Sequence, residues 1–345
     1  MKRHELKLKN IESNNTVEPK HLTFNNFAYL CLDNKTFIKD SSLSKLRQTI
    51  RYAQPIIGDL LLNNINAFHI EQFVRHLETK ENRRKKDSTN KLGLSAKTIS
   101  TQITNLSNFF NMAVRWKFIT DNPCTRVKKP RVNSNNADPF SIDEMLSILD
   151  YMTDHYPQKA LFYAIGFLTG IRPGEILALK WTDIDFENKA IHISKQHTNG
   201  KFSDTTKTYH VGKRDIIPLL MNYLHAHKKI ANSSEYLFVN QYNKPYMRCE
   251  DFKRYYWDAC LDALKIRSRC IYQMRHTFAF TMLNNGLPEN WIAMRMLGHK
   301  NTVLLRSTYS KFWDDKFVIE EEKFDFLSEK VSQKCHAEKS KRKNP

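Results

Sequence analysis

The chain has 345 residues, 41% of them hydrophobic, and its 55 Lys and Arg outnumber 36 Asp and Glu, which gives a net charge of +19 and a pI near 9.6. The length predicts two domains, and the positive charge favours a polyanionic partner, nucleic acid before membrane. No apolar run reaches the roughly 18 residues of a membrane span, and the basic N-terminus lacks the apolar segment of a secretory signal. The six Cys are scattered and contain no C-x-x-C, so neither a disulfide framework nor a zinc site is predicted.

The N-terminal part of the chain predicts an all-α domain over residues 21–126, preceded by a polar, flexible segment at 1–20. Apolar residues recur at helical spacing in three stretches between 24 and 77. A charged stretch at 81–91 predicts a loop that is well placed for phosphate contacts. Ser95 then predicts the cap of the clearest helix, whose apolar residues follow the three- and four-residue spacing of one face.

A basic and then polar stretch with two prolines predicts an interdomain linker at 127–139. After it, Ser141 and Glu144 have the spacing of a capping box and predict the first helix of a second domain over 140–327. The end of the chain, 328–345, is basic and predicts a flexible tail.

The second domain is predicted to begin with helices and then to form strands. Short strand candidates at 190–194 and 215–219 bracket a polar loop, and helical patterns dominate again from about Cys249 onward. The fold class that follows is mainly α with a small antiparallel β-sheet.

The stretch T-G-I-R-P-G-E (169–175) predicts a junction between two helices. Gly170 can end one helix and Pro173 can occupy the first position of the next. Arg172 is therefore held where a loop meets a helix, in a position from which a phosphate can be approached.

Three further motifs accompany this junction. T-T-K-T-Y-H-V-G-K-R-D-I-I-P-L begins at Thr205, Y-Q-M-R-H-T begins at Tyr272, and L-G-H ends at His299, ten positions before Tyr309. In this order the four motifs resemble those of the tyrosine recombinases, the integrases of phages and other mobile elements. The resemblance spans most of the chain.

The resemblance implies a fold and an activity. The fold is an all-α core-binding (SAM-like) domain followed by a mixed α/β catalytic domain of the tyrosine-recombinase type. The activity is cleavage and rejoining of DNA through a 3′-phosphotyrosine, without a cofactor and without a metal. An enzyme that integrates or excises a mobile element is therefore expected.

The resemblance also assigns roles to individual residues. Arg172 and Arg275 would clamp the scissile phosphate and neutralise the charge of the transition state. Glu175 would brace Arg172 without touching DNA, His299 would donate to the phosphate, and Tyr309 would be the nucleophile. Tyr255 and Tyr256, the nearest competing tyrosines, are expected to pack in an amphipathic helix.

Two positions in the motifs are less straightforward. Lys207 fits the catalytic lysine that protonates the leaving 5′ oxygen, with Lys201 and Lys213 as rivals. Tyr272 stands where the family usually has His; a phenol can hydrogen-bond the phosphate or orient the nucleophile, but it is a poor base near neutral pH. Either the base role moves or the site relies on electrostatic activation. The adjacent His276 is interpreted as a packed, structural residue.

The implied partners are double-stranded DNA recombination sites and three further copies of the chain, which together form a tetramer on DNA. Accessory DNA-bending or directionality factors are possible further partners, and no membrane is expected to take part. A helix predicted at 316–330 would dock on a neighbouring protomer or on its own domain. The expected location is the bacterial cytoplasm, with the nucleoid. Two alternatives stay open: a Xer-like chromosome dimer resolvase, and a DNA-binding regulator without catalysis that uses 286–299 as a helix-turn-helix.

Overall fold

A computed structural model of the chain describes residues 21–34, 40–80, 93–132, 137–198, 201–203, 212–231 and 234–309. The chain divides into two compact units, Met1–Ser134 and Asn135–Pro345. Several predicted features lie outside the described residues: the flexible segment at 1–20, the charged loop at 81–91, the helix at 316–330 and the tail at 328–345. None of the described helices is both long and apolar enough to cross a membrane.

The described part of the N-terminal unit contains helices and no strand. The α-helices are α1 Phe24–Asp33, α2 Asp40–Ile57, α3 Ala67–Thr79 and α4 Ala96–Arg115, and short 3-10 helices occupy Leu62–Asn64 and Pro123–Arg126. Their apolar faces meet in one core, in which Phe24 packs against Phe109 and Phe110. The all-α prediction for this part of the chain is therefore confirmed.

Polar side chains fix where these helices begin and how two of them align. The Ser95 hydroxyl accepts a hydrogen bond from the Thr98 amide at 3.2 Å, as the sequence predicted for this cap. Between α2 and α4, the buried Thr49 hydroxyl donates to Gln102 Oε1 at 2.6 Å. A buried hydroxyl needs such a partner, so this bond favours one register of the two helices.

The C-terminal unit begins with two packed helices, α5 Ile142–His155 and α6 Pro157–Thr169, and the short α7 Pro173–Ile176 follows. The predicted capping box is present: the Glu144 amide donates to the Ser141 hydroxyl at 3.0 Å, and the Ser141 amide donates to the Glu144 carboxylate at 2.9 Å. Helix α6 is buried from Ala160 to Thr169 and forms the centre of the larger core.

After a 3-10 turn at Trp181–Asp183, the chain forms two small antiparallel ladders. Strands β1 Ile184–Asp185, β2 Ala190–Ile193 and β5 Gly212–Asp215 make a sheet in the order β1-β2-β5, and β3 Gln196–Thr198 pairs with β4 Lys201–Ser203. The sheet confirms the predicted fold class. The polar loop that the sequence placed between two strands contains the second ladder.

The second predicted strand, 215–219, is wrong in its position. Strand β5 ends at Asp215, and Pro218 begins helix α8 Pro218–Ile230. Proline has no amide hydrogen for a strand ladder but is well suited to the first turn of a helix. The apolar pair Ile216 and Ile217 therefore leads into a helix, although it resembles the core of a strand.

From Cys249 to Tyr309, the last residue that the structure describes, the chain is mainly helical, as predicted. This stretch comprises α9 Cys249–Phe252, a π-helix at Lys253–Trp257, α10 Asp258–Ala263, α11 Gln273–Asn284, a second π-helix at Trp291–Met296 and α12 Val303–Tyr309. Helix α11 packs against α6. A smaller apolar cluster joins α11, the second π-helix and α12, and it holds the ring of Tyr309.

Candidate active site

Arg172 is positioned by the junction between α6 and α7, as the sequence predicted. Gly170 ends α6 in the left-handed conformation, with φ of 67°, and Pro173 begins α7. The buried Glu175 carboxylate accepts from the Arg172 amide at 3.2 Å and from Arg172 Nη1 at 2.9 Å. This carboxylate holds the guanidinium in place while leaving its other N–H groups for a ligand.

Arg275 projects from the first turn of α11 and is only 4% exposed. Its Nη1 donates to the Gly170 carbonyl at 2.6 Å, and its Nη2 donates to the Leu297 carbonyl at 2.8 Å and contacts His299 Nε2 at 2.9 Å. Burial and the charge of Arg172 lower the pKa of Arg275 to about 10, which leaves it charged at neutral pH. Arg275 therefore links the α6–α7 junction to the loop that carries His299.

His299 has one ring nitrogen bound and one without a partner. Its Nε2 faces a guanidinium N–H and must accept the hydrogen bond, so the neutral ring carries its proton on Nδ1. This Nδ1 is buried and has no hydrogen-bond partner among the described residues. Burial, and then Arg275, Arg172 and Arg214, lower the pKa of His299 to about 4. At neutral pH the ring is thus an uncharged donor in a positively charged surrounding.

Arg214 is a further buried arginine at this site, for which the sequence predicted no role. It lies in β5, and its Nη1 donates to the carbonyl of Arg295, in the second π-helix, at 3.0 Å. The next residue, Asp215, accepts from Arg295 Nη2 at 2.6 Å and from Trp291 Nε1 at 3.0 Å. Because residues 214 and 215 both hold this π-helix, the sheet fixes the segment from which His299 projects.

Gly298 lies against Arg214 and gives a test of this arrangement. It has φ of 67°, and a Cβ added there would clash with Arg214 Nη2. We expect Gly298→Ala to cost about 1–3 kcal/mol of stability through backbone strain and also to displace His299. Gly286 is the matched control, because its φ is 72° and an added Cβ meets nothing within 4 Å.

Thermal unfolding and DNA cleavage of the two variants would check this expectation. Gly286→Ala should lose stability from backbone strain alone and keep its rate of cleavage per folded molecule. Equal cleavage by both variants would contradict the view that Arg214 and Gly298 position His299.

Tyr309 ends helix α12 with its ring in the small apolar cluster, and it is 3% exposed. Its hydroxyl lies 2.7 Å from His276 Nδ1. Burial raises the pKa of Tyr309 far above its ordinary value, and the charge of Arg275 opposes this rise. The interpretation of His276 as a packed, structural residue is therefore incomplete, because its ring contacts the oxygen of the predicted nucleophile.

The remaining predicted residues are placed as follows. Tyr272 directly precedes α11, is 39% exposed, and its ring meets that of His276 edge to face at 5.4 Å. Lys207 lies outside the described residues, so its position relative to the cluster stays a prediction. Its rival Lys213 lies in β5, where it pairs with His192.

The two competing tyrosines behave differently from each other. Tyr256 packs against Tyr156 at 5.0 Å, as expected. The expectation of packing is wrong for Tyr255, which is 59% exposed. Its ring centroid lies 5.7 Å from the guanidinium carbon of Arg254.

The arrangement is suited to an anion that reacts at its centre. Three guanidiniums, those of Arg172, Arg214 and Arg275, are close enough to depress the pKa of His299. A phosphodiester entering beside them would meet fixed positive charge and a neutral N–H donor, which is the environment that stabilises a pentacoordinate phosphorus. Among the described residues, no three His, Cys, Asp or Glu are grouped as metal ligands.

The lowered pKa of His299 predicts how stability depends on pH. In the unfolded chain a His titrates near pH 6.5, and here the folded value is about 4. Between these values only the unfolded state is protonated, so stability should fall as the pH drops from about 6.5 towards 4 and level off on either side. His276 and His227, with pKa values lowered by burial, add to the same slope.

Denaturant unfolding of wild type and His299→Gln at several pH values between 7 and 4 would measure this slope. Allowing for solvent screening, we expect His299 to contribute on the order of 1 kcal/mol. An identical slope in the two proteins would contradict the assignment of a neutral ring.

Two protein-family models match the chain: the phage integrase SAM-like domain over residues 23–129 and the phage integrase family over residues 137–312. The ICEBs1 integrase of Bacillus subtilis (strain 168) is 27% identical to it, over 68% of this chain and 67% of that protein. A XerC-like tyrosine recombinase of Caldanaerobacter subterraneus subsp. tengcongensis is also 27% identical, over 63% of each. The matches therefore span about two thirds of the length of these relatives.

Among solved structures, the Tn1549 transposon integrase in complex with circular intermediate DNA is similar in fold. The TM-score is 0.73 at 17% identity, and the superposition covers 88% of this chain and 99% of that one.

Proposed function

The chain belongs to the phage integrase family, and from this premise we propose that it is a site-specific tyrosine recombinase that cleaves and rejoins DNA through a 3′-phosphotyrosine intermediate. Its proposed task within that class is the integration or excision of a mobile element. The similarity to the Tn1549 transposon integrase and to the ICEBs1 integrase supports this task. Residues 21–126 would form the core-type DNA-binding domain, 127–139 the linker and 140–327 the catalytic domain.

One observation carries the proposal: two arginines, a neutral histidine and a buried tyrosine converge from four separate segments of the chain. Arg275 alone bonds both Gly170 and His299, which come from the first and the third of these segments. A protein that only binds DNA needs charge at its surface but does not require two arginines, a neutral histidine and a buried tyrosine hydroxyl to be grouped at one place. The cluster is therefore better explained by chemistry at one phosphate than by affinity alone.

In the proposed reaction, Arg172 and Arg275 hold the nonbridging oxygens of the scissile phosphate, with Glu175 bracing Arg172. His299 donates its Nδ1–H to the same phosphate. The Tyr309 hydroxyl attacks phosphorus, which leaves a 3′-phosphotyrosine and a 5′ hydroxyl. The energy of the broken bond is kept in the new one, so rejoining requires no nucleotide cofactor.

Two further residues have roles in this scheme. Lys207 is assigned to protonate the leaving 5′ oxygen, because an ammonium of lowered pKa can serve as a general acid. Tyr272, with its partly exposed ring, would hydrogen-bond the phosphate or orient the nucleophile.

The partners proposed are two duplex recombination sites held by four copies of the chain, with accessory DNA-bending or directionality factors where the element supplies them. The bacterial cytoplasm, at the nucleoid, is the location at which such substrates occur. The XerC-like relative makes chromosome dimer resolution the second candidate function. Direct repeats that flank the gene would favour integration and excision over resolution.

A suicide substrate tests the proposal. A duplex taken from the repeats that flank the gene is nicked beside the scissile phosphate, so that the short 5′-hydroxyl strand is lost after cleavage. We expect the DNA to become covalently attached to the protein in the presence of EDTA. Binding of the duplex without any covalent product would favour the DNA-binding regulator instead.

A further inference from the structure

The contact between His276 and Tyr309 bears on a question that the motifs leave open, namely which group removes the proton from the nucleophile. Tyr272 stands at the position where the family usually has a histidine, and a phenol is a poor base at neutral pH. His276 lies one helical turn further along α11, on the same side of the helix, because residues four apart share a face. Its Nδ1 is 2.7 Å from the Tyr309 oxygen, within hydrogen-bond distance.

The surroundings of His276 keep its ring ready to accept a proton. Burial and the charge of the adjacent Arg275 lower its pKa, so the imidazole is neutral at neutral pH. A neutral ring that accepts the phenolic proton on Nδ1 carries its own proton on Nε2. The ring is held between two aromatic neighbours, at 5.4 Å from that of Tyr272 and 5.8 Å from that of Tyr309.

Tyr309 also needs such a base. Its hydroxyl is buried, and burial disfavours the phenolate, so free ionisation before attack contributes little at neutral pH. The charge of Arg275 favours the phenolate, but a guanidinium only donates hydrogen bonds, here to the Gly170 carbonyl and His299, so Arg275 cannot take up the proton. His276 is the group that can accept a proton at hydrogen-bond distance from the Tyr309 oxygen among the described residues.

We infer that His276 is the general base that removes the phenolic proton of Tyr309 during DNA cleavage. This inference rests on the proposed function, and it assigns to the chain's own His276 the role that the unusual Tyr272 cannot fill. The base in this chain thus lies one helical turn after the position at which the family usually has its histidine.

The proton and bond changes balance as follows. As the Tyr309 oxygen bonds to phosphorus, the bond from phosphorus to the 5′ oxygen breaks. The phenolic proton passes to His276 Nδ1, and the departing 5′ oxygen takes a proton from the acid assigned to Lys207. In rejoining, the 5′ hydroxyl attacks phosphorus and returns its proton to Lys207, while the leaving Tyr309 oxygen recovers its proton from His276. The imidazolium exists only while the phosphate, with its negative charge, is bound nearby.

His276→Asn is the first variant, because its amide oxygen can occupy the place of Nδ1 and accept a hydrogen bond but cannot take up a proton. Single-turnover cleavage of the nicked substrate should fall by about 10²–10⁴-fold, the scale of general base catalysis. DNA binding should stay unchanged. His227→Gln is the matched control: His227 is also a buried imidazole with one hydrogen bond, from its ring to the Leu237 carbonyl, and its replacement should affect stability without affecting cleavage per folded molecule.

A more acidic nucleophile separates a base from a packing residue. With 3,5-difluorotyrosine at position 309, the phenol loses its proton more readily. Fluorination should therefore raise the cleavage rate of His276→Asn more than that of the protein with His276, and the ratio of the two rates should shrink by about tenfold or more. If His276 only packed, fluorination would leave the ratio of the two cleavage rates unchanged. If His276→Asn does not fold, His276→Gln is measured in the same series.

The outcomes are distinct. Wild-type cleavage by the folded Asn or Gln variant, or a ratio of the two rates that fluorination does not reduce, overturns the inference while leaving the recombinase assignment intact. Failure of the wild-type protein itself to form the covalent product overturns the proposed function. A reduced rate that fluorinated tyrosine restores supports His276 as the base.

Discussion

Tyr309→Phe is expected to abolish formation of the covalent protein–DNA product while leaving DNA binding nearly unchanged. The substitution removes the attacking oxygen but retains the ring, which lies in the apolar cluster formed by α11, the second π-helix and α12. Because the lost hydrogen bond to His276 is a single one, stability should change by only about 1 kcal/mol. The measurement is gel separation of protein-linked DNA after incubation with the nicked substrate, alongside a binding titration.

Replacement of Tyr255 by Phe is the matched control, because that side chain is exposed and outside the cluster. This control should form the covalent product at the wild-type rate. Protein-linked DNA from Tyr309→Phe would mean that another tyrosine is the nucleophile, and peptide mapping of the adduct would identify it.

Arg275→Lys is expected to reduce single-turnover cleavage by at least about 10²–10³-fold, the loss typical of one transition-state donor. Lysine keeps the positive charge but lacks the planar fork, so it cannot bond the Gly170 and Leu297 carbonyls and His299 together. The variant should also be less stable, because a buried carbonyl without a partner costs about 1–3 kcal/mol. Activity must therefore be expressed per folded molecule.

Tyr272→Phe provides the comparison, since it removes one exposed hydroxyl from the same segment. We expect a loss of about 1–2 kcal/mol at most, or roughly tenfold in rate. Tyr272→His should retain or raise cleavage. If Tyr272→Phe were as inactive as Arg275→Lys, the phenol would be a central catalytic group and its proposed minor role would be wrong.

Many features were predictable because their causes are local. The Ser95 cap, the Ser141–Glu144 box and the junction around Gly170 and Pro173 are all formed by residues within a few positions of one another. The order of the four motifs added the family, and with it the type of each domain. The shifted strand at β5 shows the limit of such signals, because two isoleucines favour a strand and only the following proline decides for a helix.

The sequence by itself therefore determined the mainly helical fold with its small sheet, and it predicted which residues act on DNA. The tertiary structure alone decided which side chains contact each other. His276 and Tyr309 are 33 positions apart, and Arg214 and the Arg295 carbonyl are 81 apart. Neither pair has a spacing pattern in the sequence, because the first contact depends on how α11 and α12 pack in one apolar cluster and the second on how β5 packs against the second π-helix. His276 follows a predicted catalytic arginine and is interpreted from the sequence as a packing residue, but the fold places the Tyr309 hydroxyl against its Nδ1.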